Sequence, residues 1–175
     1  MKSVTRRGHK VGRKGQAQSA IVNRRAGFDY VLTDRLVVGL QLTGAETKAA
    51  RMNHVSLKGA YVVPKVNQVT GRNELFLINA SFTLMNNVPR GSGQSRTVVS
   101  TEPRRILAKR REIDQLCAAR QSGMTIVPTK MLTHGRYVKL EIAIGKGKKQ
   151  YDKRESIRRR DSQRELGKLS KRYRA

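Results

Sequence analysis

The stretch that decides the fold is Tyr137-Val-Lys-Leu-Glu-Ile-Ala-Ile144, which runs straight into Gly145-Lys-Gly-Lys-Lys-Gln-Tyr-Asp-Lys-Arg154. Side chains alternate across a strand, so Val138, Leu140, Ile142 and Ile144 share one face while Lys139 and Glu141 take the other. Lys139 is therefore expected to point away from a core. At Gly145 the alternation stops. From there to Ala175 the chain carries 13 Lys/Arg against 4 Asp/Glu, with only Ile157, Leu166 and Leu169 as large aliphatic residues. Such a segment cannot bury enough apolar surface to fold alone, so residues 145–175 read as a glycine-jointed basic tail that orders on an acidic partner.

Working back from that strand, Met124 to Leu132 reads as its antiparallel neighbour, turning at His134-Gly135. The strongest helix signal opens at Thr101-Glu-Pro103, with a capping residue, an acid and a first-turn proline, and closes before Gly123. Its apolar stripe is Ile106, Ile113, Leu116 and Cys117, beside a cationic flank of Arg104, Arg105, Lys109, Arg110 and Arg111. Met85 to Ser100 has the Asn/Gly/Ser composition of a mobile loop. Leu57 to Val66 and Glu74 to Phe82 read as a hairpin about Gly71, with Leu75, Leu77 and Asn79 on one face. Thr43-Gly-Ala-Glu46 has capping-box spacing and predicts a short helix from about Ala45 to Met52. Before it, Phe28 to Leu32 and Leu36 to Leu42 read as two short strands or one bent strand, with Gly39 at a bulge or bend. Residues 1–22, basic and glycine-punctuated, read as a flexible arm.

The fold class that fits is mainly β with two or three helices: a small antiparallel barrel over residues 23–144 between basic flexible termini. An open sheet covered by the 103–122 helix satisfies the same periodicity. The chain has 175 residues, room for one domain of ordinary size plus tails. Its single cysteine excludes an intrachain disulfide and multi-cysteine zinc sites. His9, His54 and His134 lack metal-ligand spacing, and no nucleophile elbow, P-loop or dinucleotide motif is found, so neither enzyme activity nor a cofactor is expected. No apolar run of membrane-spanning length occurs, and the start lacks a secretory signal's hydrophobic middle, which points to the cytoplasm.

Charge carries the functional reading. The formal net charge is +26: +8 over residues 1–25, +9 over residues 26–144 and +9 over the tail. Solubility asks for only about 2 to 8 charges on a small domain, so a basic body joined to basic ends points to nucleic-acid phosphates rather than a membrane surface. In the tail, Asp152 with Glu155 three residues on reads as a helix cap, and Arg158, Arg159, Arg160 and Arg164 await neutralisation by phosphates. Tyr151 either stacks on a base or folds onto the barrel rim.

Asn23-Arg-Arg-Ala26, Gly44-x-Glu46-x-Lys48 with Arg51, Leu57 to Tyr61, Lys109-Arg-Arg-Glu112-Ile, Gly123-x-Thr-x-Val-Pro128, Lys139 and the Gly145 to Arg154 run occur in an order that resembles the SsrA-binding (small protein B) family of bacterial trans-translation. The resemblance implies an oligonucleotide-binding-type barrel that binds the tRNA-like domain of transfer-messenger RNA, one copy per RNA, and enters a stalled ribosome without a cofactor. It implies an RNA-facing or RNA-supporting set of Arg24, Arg25, Glu46, Lys48, Arg51, Leu107, Lys109 and Lys139. It implies a tail set of Lys146, Gly147, Lys148, Lys149, Tyr151, Asp152, Lys153, Arg154 and Arg158 for the decoding centre and vacant message channel, where the tail becomes helical. Glu46 itself is assigned to capping and loop support, since a carboxylate repels phosphate. The chain departs from the family at Val37, Gly27-Phe28, Met52 to Val55 and Ser162. A ribosomal or ribosome-assembly protein is the alternative with the same charge layout.

Overall fold

The structure, a computed structural model, describes residues 20–85 and 97–172. In chain order the elements are β1 (Ala20–Val22), α1 (Arg24–Asp29), β2 (Tyr30–Leu40), α2 (Gly44–Arg51), β3 (Val55–Ser56), β4 (Tyr61–Val66) and β5 (Asn73–Ile78). There follow β6 (Ser81–Met85), β7 (Thr97–Ser100), β8 (Arg104–Leu107), α3 (Arg110–Gln121), β9 (Thr125–Leu132), β10 (Lys139–Gly147) and α4 (Gln150–Arg172).

Seven strands form a sheet in the order β1-β9-β10-β2-β8-β5-β4, and β4 pairs back to β9 through Val62 and Ile126. The sheet thus curls into a barrel whose seam is a single pair. One edge of β9 is shared, with β1 against Lys130 to Leu132 and β4 against Ile126. The antiparallel barrel expected from the alternation is therefore present. Its interior holds Val38, Leu40, Val62, Leu75, Leu77, Ile106, Ile126, Met131, Leu140, Ile142 and Ile144, and Leu116 of α3 joins the same core. Each such side chain contributes about 1.5–3 kcal/mol relative to exposure. A separate ribbon, β3-β6-β7, leans on α2.

α2 begins as its sequence predicts. The Thr43 amide donates to Glu46 Oε2 at 2.8 Å and the Glu46 amide donates to Thr43 Oγ1 at 3.4 Å, so both halves of the capping box are made. β10 presents Leu140 and Ile142 inward and Lys139 outward, also as expected.

Several expectations are corrected. The helix read over 103–122 divides into β8 and α3, because Ile106 fills a place between β2 and β5, opposite Leu40 and Leu75. Pro103 precedes that strand, where its missing N–H costs no ladder bond. The helix starts instead after Lys109, whose amide donates to Glu112 Oε2 at 2.8 Å. Phe28 and Asp29 are helical rather than extended, since Asn23 Oδ1 accepts from the Ala26 amide and nucleates α1. β2 is one strand of 11 residues whose pairing register runs unbroken through Gly39. A Cβ at Gly39 would lie 3.2 Å from Leu107 Cβ, so this glycine permits close strand approach. The bulges fall on the neighbours of β10: Thr129 is the extra residue of β9 opposite Glu141 and Ile142, and β2 carries one extra residue between Leu32 and Arg35 opposite Ala143 to Gly145.

The strand read over Leu57 to Val66 begins only at Tyr61, after a turn at Gly59, and its partner breaks at Asn79 instead of running on to Phe82. Asn79 has a φ of 59°, a conformation asparagine tolerates better than most residues. Its side chain donates to the Gly59 carbonyl at 3.2 Å, so it marks a corner rather than sharing a face with Leu75 and Leu77. Of the loop read over Met85 to Ser100, Thr97–Ser100 is strand β7, while 86–96 lies outside the described residues. The basic arm read over 1–22 gives residues 20–22 to β1; residues 1–19 lie outside the described residues.

Gly145 is not a joint. β10 continues through Lys146 opposite Val31 and Gly147 opposite Tyr30, and a Cβ on Gly145 would lie 3.0 Å from Tyr30 Cβ. The strand therefore runs past the point where apolar alternation ends, held by its neighbour's backbone. Asp152 is not the first capping residue of α4 either. It stands in the first turn and accepts from the Lys149 amide at 3.0 Å.

Candidate nucleic-acid interface

Register builds the barrel's outer surface. Lys139 lies opposite Gly39, and Gly39 lies opposite Leu107, so the three form one row across β10, β2 and β8. At about 4.8 Å per strand the row spans about 10 Å. Gly39 contributes no side chain, leaving a flat step between an ammonium and an exposed leucine. Beside it opens a groove of about 650 Å³, lined by Val37, Gly39, Arg105, Leu107, Lys109 and Arg110 among others. Arg105 is tied to Glu74 at 2.7 Å. Among the described residues no carboxylate stands within ion-pair distance of Lys109 or Lys139. Glu74 and Glu112 also line it, accepting from Arg105 and from the Lys109 amide; what such a groove offers a sugar–phosphate backbone is cations for the phosphates and an apolar floor for the sugar faces.

Lys48 and Arg51 belong to α2, and Arg51 donates to the carbonyls of Gly135 and Arg136, both at 3.3 Å. These bonds tie the end of α2 to the β9–β10 turn, just before Lys139. Glu46 faces inward: it is 7% exposed, and its Oε1 accepts from Arg104 Nε at 2.7 Å. Burial alone would push its carboxyl up. The Thr43 amide, Arg104 and the Thr43 hydroxyl outweigh that and hold it below the usual carboxylate range.

Arg104 is the site-supporting residue that the sequence did not reveal as such. It is 4% exposed and stacks 4.2 Å from the Phe82 ring centroid. It also donates to the carbonyls of Ala80, Glu102 and Ser100 and to the Ser100 hydroxyl. One guanidinium thereby joins α2, the β5–β6 corner and the end of β7. The available signal was the alternation within Arg104-Arg105-Ile106-Leu107, which puts Arg104 on the same side as the buried Ile106.

Arg24 and Arg25 lie elsewhere. They are on α1, which starts where the Asn23 amide meets the Thr129 carbonyl of β9 and ends where the Asp29 carbonyl meets the Lys148 amide, just past the far terminus of β10. There Arg25 pairs with Asp29 at 2.8 Å. The structure therefore brings Arg51, Leu107, Lys109 and Lys139 to one region, with Lys48 on the same helix as Arg51, but ties Arg25 through Asp29 to the root of the tail, with Arg24 beside it at the start of α1.

In the tail, Lys146 and Gly147 complete β10, and Lys148 Nζ donates to the Gly27 carbonyl at 2.9 Å. Lys149 precedes α4, a helix of 23 residues. Tyr151 is 63% exposed, so it is not folded onto the barrel rim. Arg154 and Arg158 are exposed, whereas Lys153 turns back and meets Asp29 at 2.9 Å. No described helix is long and apolar enough to cross a membrane, and no described group of His, Cys, Asp and Glu side chains is arranged to hold a metal.

A barrel with a cationic groove and a long basic helix leaving its last strand is the layout expected from the family resemblance. The family model described as SmpB protein matches residues 20–172, the barrel and α4 together. The chain belongs to the SmpB protein family. Among curated SmpB relatives, the SsrA-binding protein of Trichormus variabilis is 38% identical over 152 residues, covering 86% of this chain and 92% of the relative. The SsrA-binding protein of Oenococcus oeni is 37% identical over 152 residues, covering 86% of this chain and 91% of the relative. A solved SmpB chain, from work described as "tmRNA-SmpB: a journey to the center of the bacterial ribosome", aligns with a TM-score of 0.54 at 28% identity. It covers 80% of this chain and 95% of the solved one.

Proposed function

We propose that this protein is a non-enzymatic RNA-binding adaptor of trans-translation. It binds the tRNA-like domain of transfer-messenger RNA, one copy per RNA, and delivers it to ribosomes stalled without a codon in the decoding site. The observation that carries the reading is the separation of two cationic surfaces. The Lys139–Gly39–Leu107 row lies on the barrel, and α4 leaves from the opposite end of β10. One rigid strand thus holds apart a surface for structured RNA and a helix for a second polyanion. Lys48, Arg51, Leu107, Lys109 and Lys139 serve the first; Lys149, Tyr151, Arg154 and Arg158 serve the second, in the decoding centre and vacant message channel. Glu46 and Arg104 hold the first surface in shape. The reaction needs no cofactor from this chain and takes place where ribosomes work, in the bacterial cytoplasm.

Relatives named SsrA-binding proteins favour this reading over a ribosomal constituent. The test pairs two variants. Lys139→Glu should lower affinity for transfer-messenger RNA about 10-fold or more, while removal of residues 150–175 should leave affinity within about threefold and abolish rescue of stalled ribosomes. Cutting after Lys149 spares the β10 residues that complete the barrel. Equal loss of RNA binding in both variants would overturn the division.

A further inference from the structure

Lys153 belongs to the tail, yet its ammonium is directed at the body. Nζ stands 2.9 Å from Asp29 Oδ1 and 6.0 Å from the Phe28 ring centroid. Five residues earlier, Lys148 reaches the same end of α1 twice: its amide donates to the Asp29 carbonyl at 2.9 Å and its Nζ to the Gly27 carbonyl at 2.9 Å. The other Asp29 carboxylate oxygen accepts from Arg25 Nε at 2.8 Å, and Arg25 lies 5.5 Å from the centroid of the same Phe28 ring. α1 is itself fixed to the barrel. The Asn23 amide donates to the Thr129 carbonyl at 2.8 Å and the Asn23 side chain donates to the Pro128 carbonyl at 2.9 Å.

A chain of contacts therefore runs from β9 through α1 to the first turns of α4. We infer that Asp29, supported by Phe28, is a positioning residue for the tail: by engaging Lys153 it sets the direction in which α4 leaves the barrel. The inference rests on the adaptor reading above, in which that helix enters a channel while the barrel holds RNA. Leverage makes a contact at the root matter. A helix of 23 residues is about 34 Å long, so a tilt of about 20° at its base displaces its far end by about 12 Å. That matches the helix's own diameter of about 10–12 Å, so an undirected tail would carry its far end a full helix width off its line. Asp29 and Lys153 side chains are 21% and 34% exposed, so salt screens the pair and the contact is a bias that ribosomal groups are able to replace.

The experiment uses the full chain with Cys117→Ala and nitroxide-labelled cysteines at Val69 and Leu166, two positions that are 94% and 65% exposed. Pulsed electron resonance reads the distance distribution between barrel and α4. The parent should give one narrow distribution. Asp29→Asn and Lys153→Gln should each broaden it at least twofold, the double variant no further than either single, and Asp29→Glu should retain the narrow form. In parallel, Asp29→Asn should lower the rate of ribosome rescue about 10-fold with affinity for transfer-messenger RNA unchanged. A broad distribution in the parent, or one that Asp29→Asn leaves unaltered, overturns the inference. Failure of the adaptor reading shows separately, as a parent protein that neither binds transfer-messenger RNA nor rescues ribosomes.

Discussion

Arg104 Nε meets Glu46 Oε1 at 2.7 Å, with 4% and 9% of the two side chains exposed. A charge pair so enclosed is costly to form, but removing one member strands the other without water. Arg104→Ala should therefore lower unfolding free energy by about 3–5 kcal/mol. Urea denaturation checks this, and a loss below about 1 kcal/mol would show that the pair does not organise the α2 region.

The same pair sets an acid limit. The Glu46 carboxyl lies below its ordinary value of 4.5 in the folded protein, so the unfolded chain binds the proton more readily. Its stabilising contribution is complete above the unfolded pKa and is lost as pH falls through the folded one. Parent stability should fall more steeply than that of Glu46→Gln as pH drops below about 4.5. Urea midpoints between pH 7 and pH 3 test it, and parallel curves would contradict it.

Two glycines close together in sequence should respond oppositely. A Cβ at Gly145 would come within 3.0 Å of Tyr30 Cβ, whereas at Gly147 nothing lies within 4 Å. Gly145→Ala should cost about 1–3 kcal/mol through strand displacement, while Gly147→Ala should stay within about 0.5 kcal/mol of the parent. Thermal melting of the two variants side by side decides it.

Lys130 and Lys139 both sit on the outer face of the sheet, but among the described residues only Lys130 has a carboxylate within ion-pair distance, Glu141 at 3.7 Å. Lys139→Gln should weaken binding of the tRNA-like domain and make the slope of log affinity against log salt shallower by about 1. Lys130→Gln should change that slope by less than half as much. Equal slopes in the two variants would remove Lys139 from the phosphate-contacting set.

Much of the barrel was legible because its longest strands obey local rules: Val138 to Ile144 alternates, and Thr43 with Glu46 spells a cap within four residues. Where local and distant preferences compete, local reading failed. Thr101-Glu-Pro103 begins a helix on paper, but Leu40 and Leu75, far away in sequence, claim Ile106 for a strand. Likewise the six residues of α1 are too few to show a helical period. For the site, Lys139 could be placed outward from alternation, but its alignment with Leu107 depends on Gly39 lying between them. Arg104 was hidden because the helix signal at Thr101-Glu-Pro103 outweighed the short alternation that puts it on the same side as the buried Ile106.

The lone Val62–Ile126 pair that closes the barrel also determines where the molecule breathes. Side chains at this seam, 1% and 0% exposed, are as dry as Leu140 and Ile142, yet β10 is flanked by long ladders on both sides while the seam has one rung. Backbone deuterium uptake should therefore spread from Val62 and Ile126 well before it reaches Leu140 or Ile142, like a hoop springing at its only rivet.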